Sequence, residues 1–230
     1  CYHGVMDMFR NPKLAASVYA CEQDEIPVLQ ITSSMDIGEH PGCNRGNLYI
    51  LSNADSVRMY KNDRFIKEYR PEMSPYKHLK HGPILIDDFI GDALEKNERF
   101  RPKHAKEMAD AMNIVARGSL NHIPKRLYPT ALKLALLYHI DFAEVTKLYT
   151  KYIGDWGGTA TVYRFDAIKD GKVIKSVTKE PVNGIRLQAE ADHTNLTEHH
   201  SYDVALVRIR AVDAHGNVLP FYQEAVRITA

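Results

Sequence analysis

Cysteine and tryptophan are scarce in this chain of 230 residues, which has three cysteines and one tryptophan. The odd set of Cys1, Cys21 and Cys43 is not a disulfide framework, and a chain of this length can bury an apolar core without one. The spacing of the three contains no Cys-x-x-Cys element, and no histidine pair lies at zinc-finger distance from them. We therefore predict free thiols and no structural zinc site.

An excess of charge of either sign is also missing. The chain has 30 lysines and arginines against 29 aspartates and glutamates, so its formal net charge is +1. No overall field would attract nucleic acid or an anionic membrane surface. Basic residues in the helical segment 101–155 are dispersed over its helices, which argues against a DNA-reading helix-turn-helix. No apolar run approaches the roughly 20 residues that span a bilayer, so no membrane segment is predicted.

A convergent set of catalytic side chains is a further absence. Glycoside hydrolysis, proteolysis and acyl transfer each need two or three polar groups in one pocket. Asp87 and Asp88 are adjacent in sequence, and adjacent residues of a strand point to opposite faces. We interpret these two aspartates as surface turn residues rather than as a catalytic pair.

Histidines occur in two sequence clusters, which are His78 with His81 and His193 with His199 and His200. Neutral imidazoles bind metals well, but a loop without an i, i+4 framework does not hold several of them rigidly. Solvated histidines are therefore the favoured interpretation. The sequence predicts no catalytic residue, no substrate-binding residue, no metal ligand and no cofactor.

Aromatic side chains are the remaining candidates for ligand contact. A sugar-stacking platform on a sheet face would use Tyr49, Tyr60, Tyr69, Trp156 and Tyr163. Aromatic residues are also ordinary core and sheet residues, and that interpretation is favoured.

Apolar residues, by contrast, are plentiful at 44% of the chain. The opening residues 2–9 are too apolar for a free tail. Asn11 and Pro12 then predict a helix with an asparagine cap and proline in its first turn. Its apolar stripe consists of Leu14, Val18 and Cys21. One strand-like piece and one helix cannot form a core alone, so we expect the chain to open partway through a fold.

From Ile26 the apolar period changes to two, which is typical of strands. Strands are predicted at 26–31, 48–51, 57–60, 65–69, 84–86, 161–168, 172–178, 185–189, 202–213 and 226–228. Asn62-Asp63 and Asp170-Gly171 have the composition of two-residue hairpin turns.

Between 101 and 155 the period is helical. Pro102 and Gly118 delimit a first helix, whose apolar face is predicted to consist of Met108, Ala111, Met112 and Val115. A second helix begins near Pro129 and carries Leu132, Ala135 and Leu136. Asp141 to Glu144 have capping-box spacing for a third, which carries Val145, Leu148, Tyr149 and Tyr152. A sandwich needs about seven strands, and neither flanking β block supplies them alone, so one sandwich with a helical insertion is predicted.

Three motifs carry a family resemblance. Residues 2–13 read Tyr-His-Gly-Val-Met-Asp-Met-Phe-Arg-Asn-Pro-Lys, and residues 52–63 read Ser-Asn-Ala-Asp-Ser-Val-Arg-Met-Tyr-Lys-Asn-Asp. The first resembles the last strand and helix of the catalytic barrel in glycoside hydrolase family 2, the β-galactosidase and β-glucuronidase family. The second resembles a hairpin of the immunoglobulin-like domain after that barrel, with Asp63 where glycine is usual. Residues 202–220 resemble a strand and turn of a second such domain.

The resemblance implies a mainly β fold. Its parts are an immunoglobulin-like β-sandwich with an α-helical insertion, a second immunoglobulin-like β-sandwich unit, complete or truncated, and a short strand–helix remnant of a TIM barrel. The expected domains are the remnant at 1–25, the sandwich at 26–182 with its insertion at 101–155, and the second unit at 183–230. Residues 101–155 have no counterpart in the family pattern, and residues 71–100 are only weakly similar to it.

The resemblance further implies a parent glycosidase that hydrolyses terminal glycosidic bonds with retention, using two glutamates on barrel strands before Cys1. No family catalytic residue maps onto this chain, so we expect a non-catalytic C-terminal accessory region that is inactive alone. Its expected partner is the catalytic barrel upstream of Cys1, with no role for nucleic acid or membrane. The alternative is a carbohydrate-binding or subunit-interaction module, whose partner is a carbohydrate or a second copy of the chain.

Overall fold

The structure is a computed structural model that describes residues 3–35, 45–98, 100–118, 124–138, 141–154 and 160–229. The chain divides into two compact units, Cys1–Pro181 and Val182–Ala230. Within the described residues the strands form three sheets, so the fold is β-rich, as predicted.

The first unit contains both helices and strands. Its helices are α1 Leu14–Ala20, α2 Ala93–Glu98, α3 Pro102–Arg117, α4 Tyr128–Tyr138 and α5 Phe142–Tyr152. Its strands are β1 Leu29–Ile31, β2 Tyr49–Ser52, β3 Ser56–Lys61, β4 Arg64–Tyr69, β5 Ile84–Leu85, β6 Tyr163–Lys169 and β7 Lys172–Lys179. The second unit has β8 Arg186–Ala191 and β9 Val207–Val212. The sequence did not predict α2.

Two antiparallel sheets build the first unit, with strand orders β1-β2-β5 and β4-β3-β6-β7. Alternation sets their buried faces, because successive side chains of a strand point to opposite sides. On β3, Val57 and Met59 are buried while Arg58 between them is exposed. The helices α2 to α5 follow β5 and precede β6, so the helical segment interrupts the chain between strands of different sheets.

One apolar core joins both sheets to α3 and α5. Phe165 of β6 and Met108 of α3 are almost completely buried in it, and each such side chain contributes about 1.5–3 kcal/mol. The buried face of α3 consists of Ala105, Met108, Ala109, Met112, Asn113 and Ala116. The prediction of Ala111 and Val115 on this face is corrected, because both are only half-buried, along one edge of that face.

Both predicted hairpin turns are confirmed. Asn62 and Asp63 have φ values of 48° and 61°, and Asp170 and Gly171 have 50° and 73°. These left-handed conformations match the right-handed twist of the flanking strands.

The predicted helix cap at Asn11 is wrong. Its backbone N–H and its side-chain Nδ2 both donate to the Asp7 carboxylate, at 2.8 and 2.9 Å. Pro12 forms an isolated β-bridge with Met6, and α1 begins only at Leu14 with Lys13 as its N-cap. Asn11 therefore closes a loop instead of starting a helix.

Two predicted strands are shorter than expected because side chains take their backbone hydrogen bonds. The Val28 N–H donates to the Asn53 side chain, so β1 begins at Leu29 rather than at Ile26. In the segment 202–206, the N–H groups of Val204 and Leu206 donate to carboxylates of Asp203 and Asp192. The strand predicted at 226–228 is absent from the described part of the chain, where these residues have no ladder partner.

The second unit is a two-stranded antiparallel ribbon, in which Leu187 pairs with Ala211 and Ala189 with Ile209. One face of the ribbon is entirely apolar and consists of Leu187, Ala189, Ala191, Val207, Ile209 and Ala211. Leu187 and Val207 are about half-exposed, at 50% and 53%. A two-stranded ribbon is marginally stable alone, so we expect its apolar face to be stabilised by packing against other residues.

Candidate functional site

The N-terminal loop is organised by Asp7. Its Oδ1 accepts hydrogen bonds from the backbone N–H groups of Phe9 and Asn11, both at 2.8 Å. The hydrogen bond from the Asn11 side chain is the largest of several that hold the pKa of Asp7 below its ordinary value. The loop between Met6 and Pro12 therefore has a defined shape rather than that of a loose tail.

This loop presents apolar side chains to solvent. Met8 is 86% exposed and Phe9 is 66% exposed. The same N-terminal segment also exposes Met6, Leu14 and Tyr19, and α1 has no buried residue. Exposed apolar residues grouped on one segment mark interaction surfaces. We call residues 3–25 the N-terminal segment.

Asn53 ties this segment to the sheets. The side chain is 2% exposed, and its Nδ2 donates to the carbonyl oxygens of Gln23 at 2.7 Å and Ile26 at 2.9 Å. Its Oδ1 accepts from the Val28 N–H at 2.8 Å. The neighbouring Ser52 Oγ donates to the Val28 carbonyl at 2.8 Å. The motif of residues 52–63 thus contains the anchor that fixes the end of the N-terminal segment against β2.

An ionic contact adds a second anchor. The Lys80 Nζ lies 2.5 Å from Asp24 Oδ2, and the Lys169 Nζ lies 3.4 Å from Oδ1 of the same carboxylate. The hydrogen bond from Lys80 is the main reason that the pKa of Asp24 is lowered. Glu22 accepts the backbone N–H groups of Lys80 and His81. The end of the segment is therefore fixed both by the ion pairs of Asp24 and by the hydrogen bonds of Asn53.

Arg45 is a buried charge that sequence analysis missed. It is 5% exposed, and its guanidinium lies over the rings of Phe89 and Tyr163 at 5.4 and 5.2 Å. It donates to the carbonyl oxygens of Met35 at 2.9 Å and Ile153 at 3.2 Å. Ile153 is the C-cap of α5, so Arg45 places a positive charge at the negative end of that helix. An arginine in a glycine-rich loop gives no sequence signal of this role.

A polar cleft of about 390 Å³ lies between the β4 hairpin, α2 and α3. Two of its carboxylates form ion pairs or hydrogen bonds with neighbouring residues. Asp92 pairs with Arg64 at 2.6 Å, and Asp88 Oδ1 accepts from the Ile90 and Gly91 N–H groups and from Asn113 Nδ2, all at 2.9 Å. The Lys96 hydrogen bond is the first cause of the lowered pKa of Asp92. These side chains organise the turn into α2.

The two adjacent aspartates have separate structural partners. Asp87 accepts two hydrogen bonds from Lys67 Nζ, at 2.7 and 2.8 Å, while Asp88 caps the turn described above. Both lie in the loop after β5, in agreement with their interpretation as turn residues.

The histidines are not brought together. His199 and His200 are exposed, as is His78. His81 is 8% exposed, and burial lowers its pKa. His193 bridges two carboxylates, with Nδ1 at 2.9 Å from Asp192 and Nε2 at 3.6 Å from Asp203. Among the described residues, no group of three or more histidine, cysteine or acidic side chains is arranged to hold a metal ion.

The five-residue aromatic platform is wrong for two of its members. Tyr69 is 1% exposed and Tyr163 is fully buried, so both are core residues that cannot stack on a sugar. Tyr49 and Tyr60 are half-buried, and Trp156 lies outside the described residues. No helix in the described part of the chain is long and apolar enough to cross a membrane.

Two curated β-galactosidases and one solved β-glycosidase structure are similar to parts of this chain. No family model matches it. The chain is 37% identical over 87 residues to a β-galactosidase of Thermoanaerobacter pseudethanolicus, which is 36% of this chain and 12% of the relative. It is 38% identical over 90 residues to a β-galactosidase of Thermoanaerobacterium thermosulfurigenes, which is 38% of this chain and 13% of the relative.

A solved β-glycosidase structure from Bacteroides vulgatus is also similar, with a TM-score of 0.47 and 12% sequence identity. That likeness covers 95% of this chain and 18% of the solved chain. The matched region thus spans about an eighth of the length of the two curated relatives. Two β-galactosidase matches of this extent fit a fragment of a glycoside hydrolase.

Proposed function

We propose that this chain is a non-catalytic accessory region of a β-galactosidase-like glycosidase. The observation that carries the proposal is the identity of 37–38% to two β-galactosidases over 87 and 90 residues. The parent enzyme hydrolyses terminal glycosidic bonds with retention, and its paired carboxylates belong to a catalytic barrel outside this chain.

The engaged carboxylates support a non-catalytic role. A retaining glycosidase needs two carboxyl groups about 5–5.5 Å apart, one of them free to act as nucleophile. In the polar cleft, Asp92 is paired with Arg64 and Lys96, and the Oδ1 atom of Asp88 accepts from three donors. We assign no catalytic residue, substrate-binding residue or metal ligand to this chain.

An immunoglobulin-like architecture is our proposal for residues 26–182. It is supported by seven antiparallel strands in sheets of three and four, with β5 returning to the first sheet and β6 to the second. The helical insertion at 101–155 lies between those two strands. For residues 183–230 we propose a second immunoglobulin-like unit, which the amphipathic β8–β9 ribbon supports.

The N-terminal segment is our proposed contact with the catalytic barrel. The barrel remnant of residues 1–25 would place Met8 and Phe9 against the rest of the barrel. Their exposure of 86% and 66% supports this assignment, since burial of such side chains is worth about 1.5–3 kcal/mol each. The Asn53 and Asp24 anchors would then connect the barrel firmly to the sandwich.

The test compares the effect of Phe9→Ser in this chain with its effect in the proposed longer protein, in which a catalytic barrel precedes Cys1. In this chain, where Phe9 is exposed, we expect a change in stability within about 0.5 kcal/mol. In the longer protein we expect a loss of about 2–3 kcal/mol and lower β-galactosidase activity. Met73→Ser, at an apolar residue that is 48% exposed, is the matched control and should change neither. Equal, small effects of Phe9→Ser in both contexts, or no barrel encoded upstream, would overturn the proposal.

A further inference from the structure

The helix α4 exposes a regular apolar stripe. Tyr128, Leu132 and Leu136 follow one another at intervals of four residues and are 59%, 60% and 64% exposed. Residues at i, i+4 and i+8 form a continuous ridge on one helix face. We call these three residues the α4 ridge.

The opposite side of α4 is occupied by α3. Lys133 pairs with Glu107 of α3 through Nζ–Oε distances of 2.5 and 2.6 Å. Leu127, just before α4, is 8% exposed, and together with Thr130 it lines a groove against Ile114 of α3. These contacts fix the rotation of α4. The ridge is therefore held away from the core of its own unit.

We propose that the α4 ridge is a contact between two copies of this chain, with the two α4 helices antiparallel about a two-fold axis. A two-fold axis brings the same residue of each copy together near the axis, and an isologous contact requires a self-complementary surface. In this arrangement Leu132 lies nearest the axis and faces Leu132 of the second copy. Tyr128 of each copy faces Leu136 of the other.

The charge distribution of α4 favours a second copy of this chain as the partner of the ridge. Helix N-termini favour acidic residues and C-termini favour basic ones, but α4 has no acidic residue in its first turn and no basic residue in its last. Instead, exposed Lys125 and Arg126 precede its N-terminus. An antiparallel copy brings Lys125 beside the C-terminus of the facing α4, which is the negative end of that helix dipole. The second copy therefore places a cation beside the last turn of α4, which has no basic residue of its own.

The expected dimer is weak. Three side chains per copy provide much less than the roughly 800 Å² per partner of a stable interface, so association should depend on concentration in the micromolar range or above. Replacement of Leu132 removes one buried leucine from each copy. Since each is worth about tenfold in affinity, the dissociation constant should rise about a hundredfold.

The experiment is sedimentation velocity of the full chain over a concentration series, with four samples that differ at residue 132. Wild type should form a dimer, whereas Leu132→Glu and Leu132→Lys alone should each be monomeric. A 1:1 mixture of these two variants should dimerise again, because a two-fold contact places opposite charges against each other. Val173→Glu, at a 58% exposed residue of β7, is the control and should leave the dimer unchanged.

Each other outcome contradicts the proposal. A monomeric wild type at millimolar concentration would mean that another partner or nothing covers the ridge. A wild-type dimer that persists in Leu132→Glu would place the contact elsewhere. Loss of association in both variants without recovery in the mixture would exclude the two-fold arrangement. Because Leu132 is exposed, both variants should keep the far-ultraviolet circular dichroism spectrum of the wild type, and Leu132→Ala gives a milder variant if one does not.

Discussion

The Oδ1 atom of Asn53 accepts a hydrogen bond from the backbone N–H of Val28 at 2.8 Å, across 25 residues of sequence. The same side chain donates from Nδ2 to the carbonyl groups of Gln23 and Ile26. One buried amide thus satisfies three backbone groups where the N-terminal segment enters the first sheet. Buried backbone groups must be paired, so this residue both ends the segment and sets the start of β1.

Replacement of Asn53 should destabilise the first unit. Asn53→Ala leaves the Val28 N–H and the Gln23 carbonyl without this partner, and the Ile26 carbonyl keeps only its hydrogen bond from Gln23 Nε2, so we expect a loss of about 2–3 kcal/mol in the free energy of unfolding. Urea denaturation followed by circular dichroism measures it. Asn47→Ala, at an exposed asparagine before β2, is the control and should change stability by less than about 0.5 kcal/mol. Equal effects of the two substitutions would refute the anchoring role.

Glycine at position 63 should stabilise the β3–β4 hairpin. Asp63 has a φ of 61°, a conformation that glycine adopts without steric cost. Its ion pair with Arg164 involves a side chain that is 87% exposed, so little is lost with it. Asp63→Gly should raise the free energy of unfolding by about 0.5–1 kcal/mol, and Asp63→Ala should lower it by a similar amount. Thermal unfolding of both variants tests this, and the reverse order would contradict the turn assignment.

The Cys21 thiol should be unreactive in the folded chain. It is fully buried, and that burial raises its pKa from 9.0 to about 12. At a given pH, this higher pKa lowers the thiolate fraction about a thousandfold, and the thiolate is the reactive form. In a variant with Cys1→Ser and Cys43→Ser, a thiol reagent at pH 8 should label Cys21 only after urea is added. Labelling of the native chain at the rate of a free thiol would show that Cys21 is accessible.

Acid should weaken the contact between α2 and α5. The Glu98 carboxylate lies 2.6 Å from Lys151 Nζ and accepts from the Tyr152 hydroxyl at 2.5 Å, and the Lys151 bond is the main cause of its lowered pKa. Because the folded-state pKa is below the ordinary 4.5, this stabilisation is complete above pH 4.5 and is lost as the pH falls through the folded value.

The test is the melting temperature as a function of pH between 3 and 7. Glu98→Gln should reduce the decline in melting temperature below about pH 4.5, because the glutamine does not titrate. Glu72→Gln, at an exposed glutamate in the short 3₁₀ helix Pro71–Met73, is the control. A curve for Glu98→Gln that overlays the wild-type curve would exclude this contribution.

Local chemistry made much of the fold predictable. The hairpin turns follow from Asn62-Asp63 and Asp170-Gly171, and the start of α5 follows from Asp141, whose Oδ1 accepts the Glu144 N–H at 2.7 Å. These elements are determined by neighbours in sequence, which a pattern can capture. The alternation of Val57 and Met59 likewise predicts their burial on β3.

Long-range contacts explain the failures. Asn11 has the sequence context of a helix cap, but it belongs to a loop closed locally by Asp7 and by the bridge between Met6 and Pro12, so α1 begins only at Leu14; the other two cases are long-range. The anchoring role of Asn53 depends on a segment 25 residues away, and the burial of Arg45 depends on Met35 and Ile153. A pattern of single residues contains no information on which distant carbonyl groups converge on a side chain. The resemblance identified the motif that contains Asn53 but not what the residue does.

Hydrolysis of a nitrophenyl β-galactoside by the purified chain tests the central claim most directly. Because we propose that both catalytic carboxylates lie in a barrel outside this chain, the chain should release no nitrophenol above the buffer rate. A cooperative thermal unfolding transition in the same sample would show that the chain is folded. Turnover by the folded chain that persists through repeated purification would contradict the account, because the active site would then lie within these 230 residues.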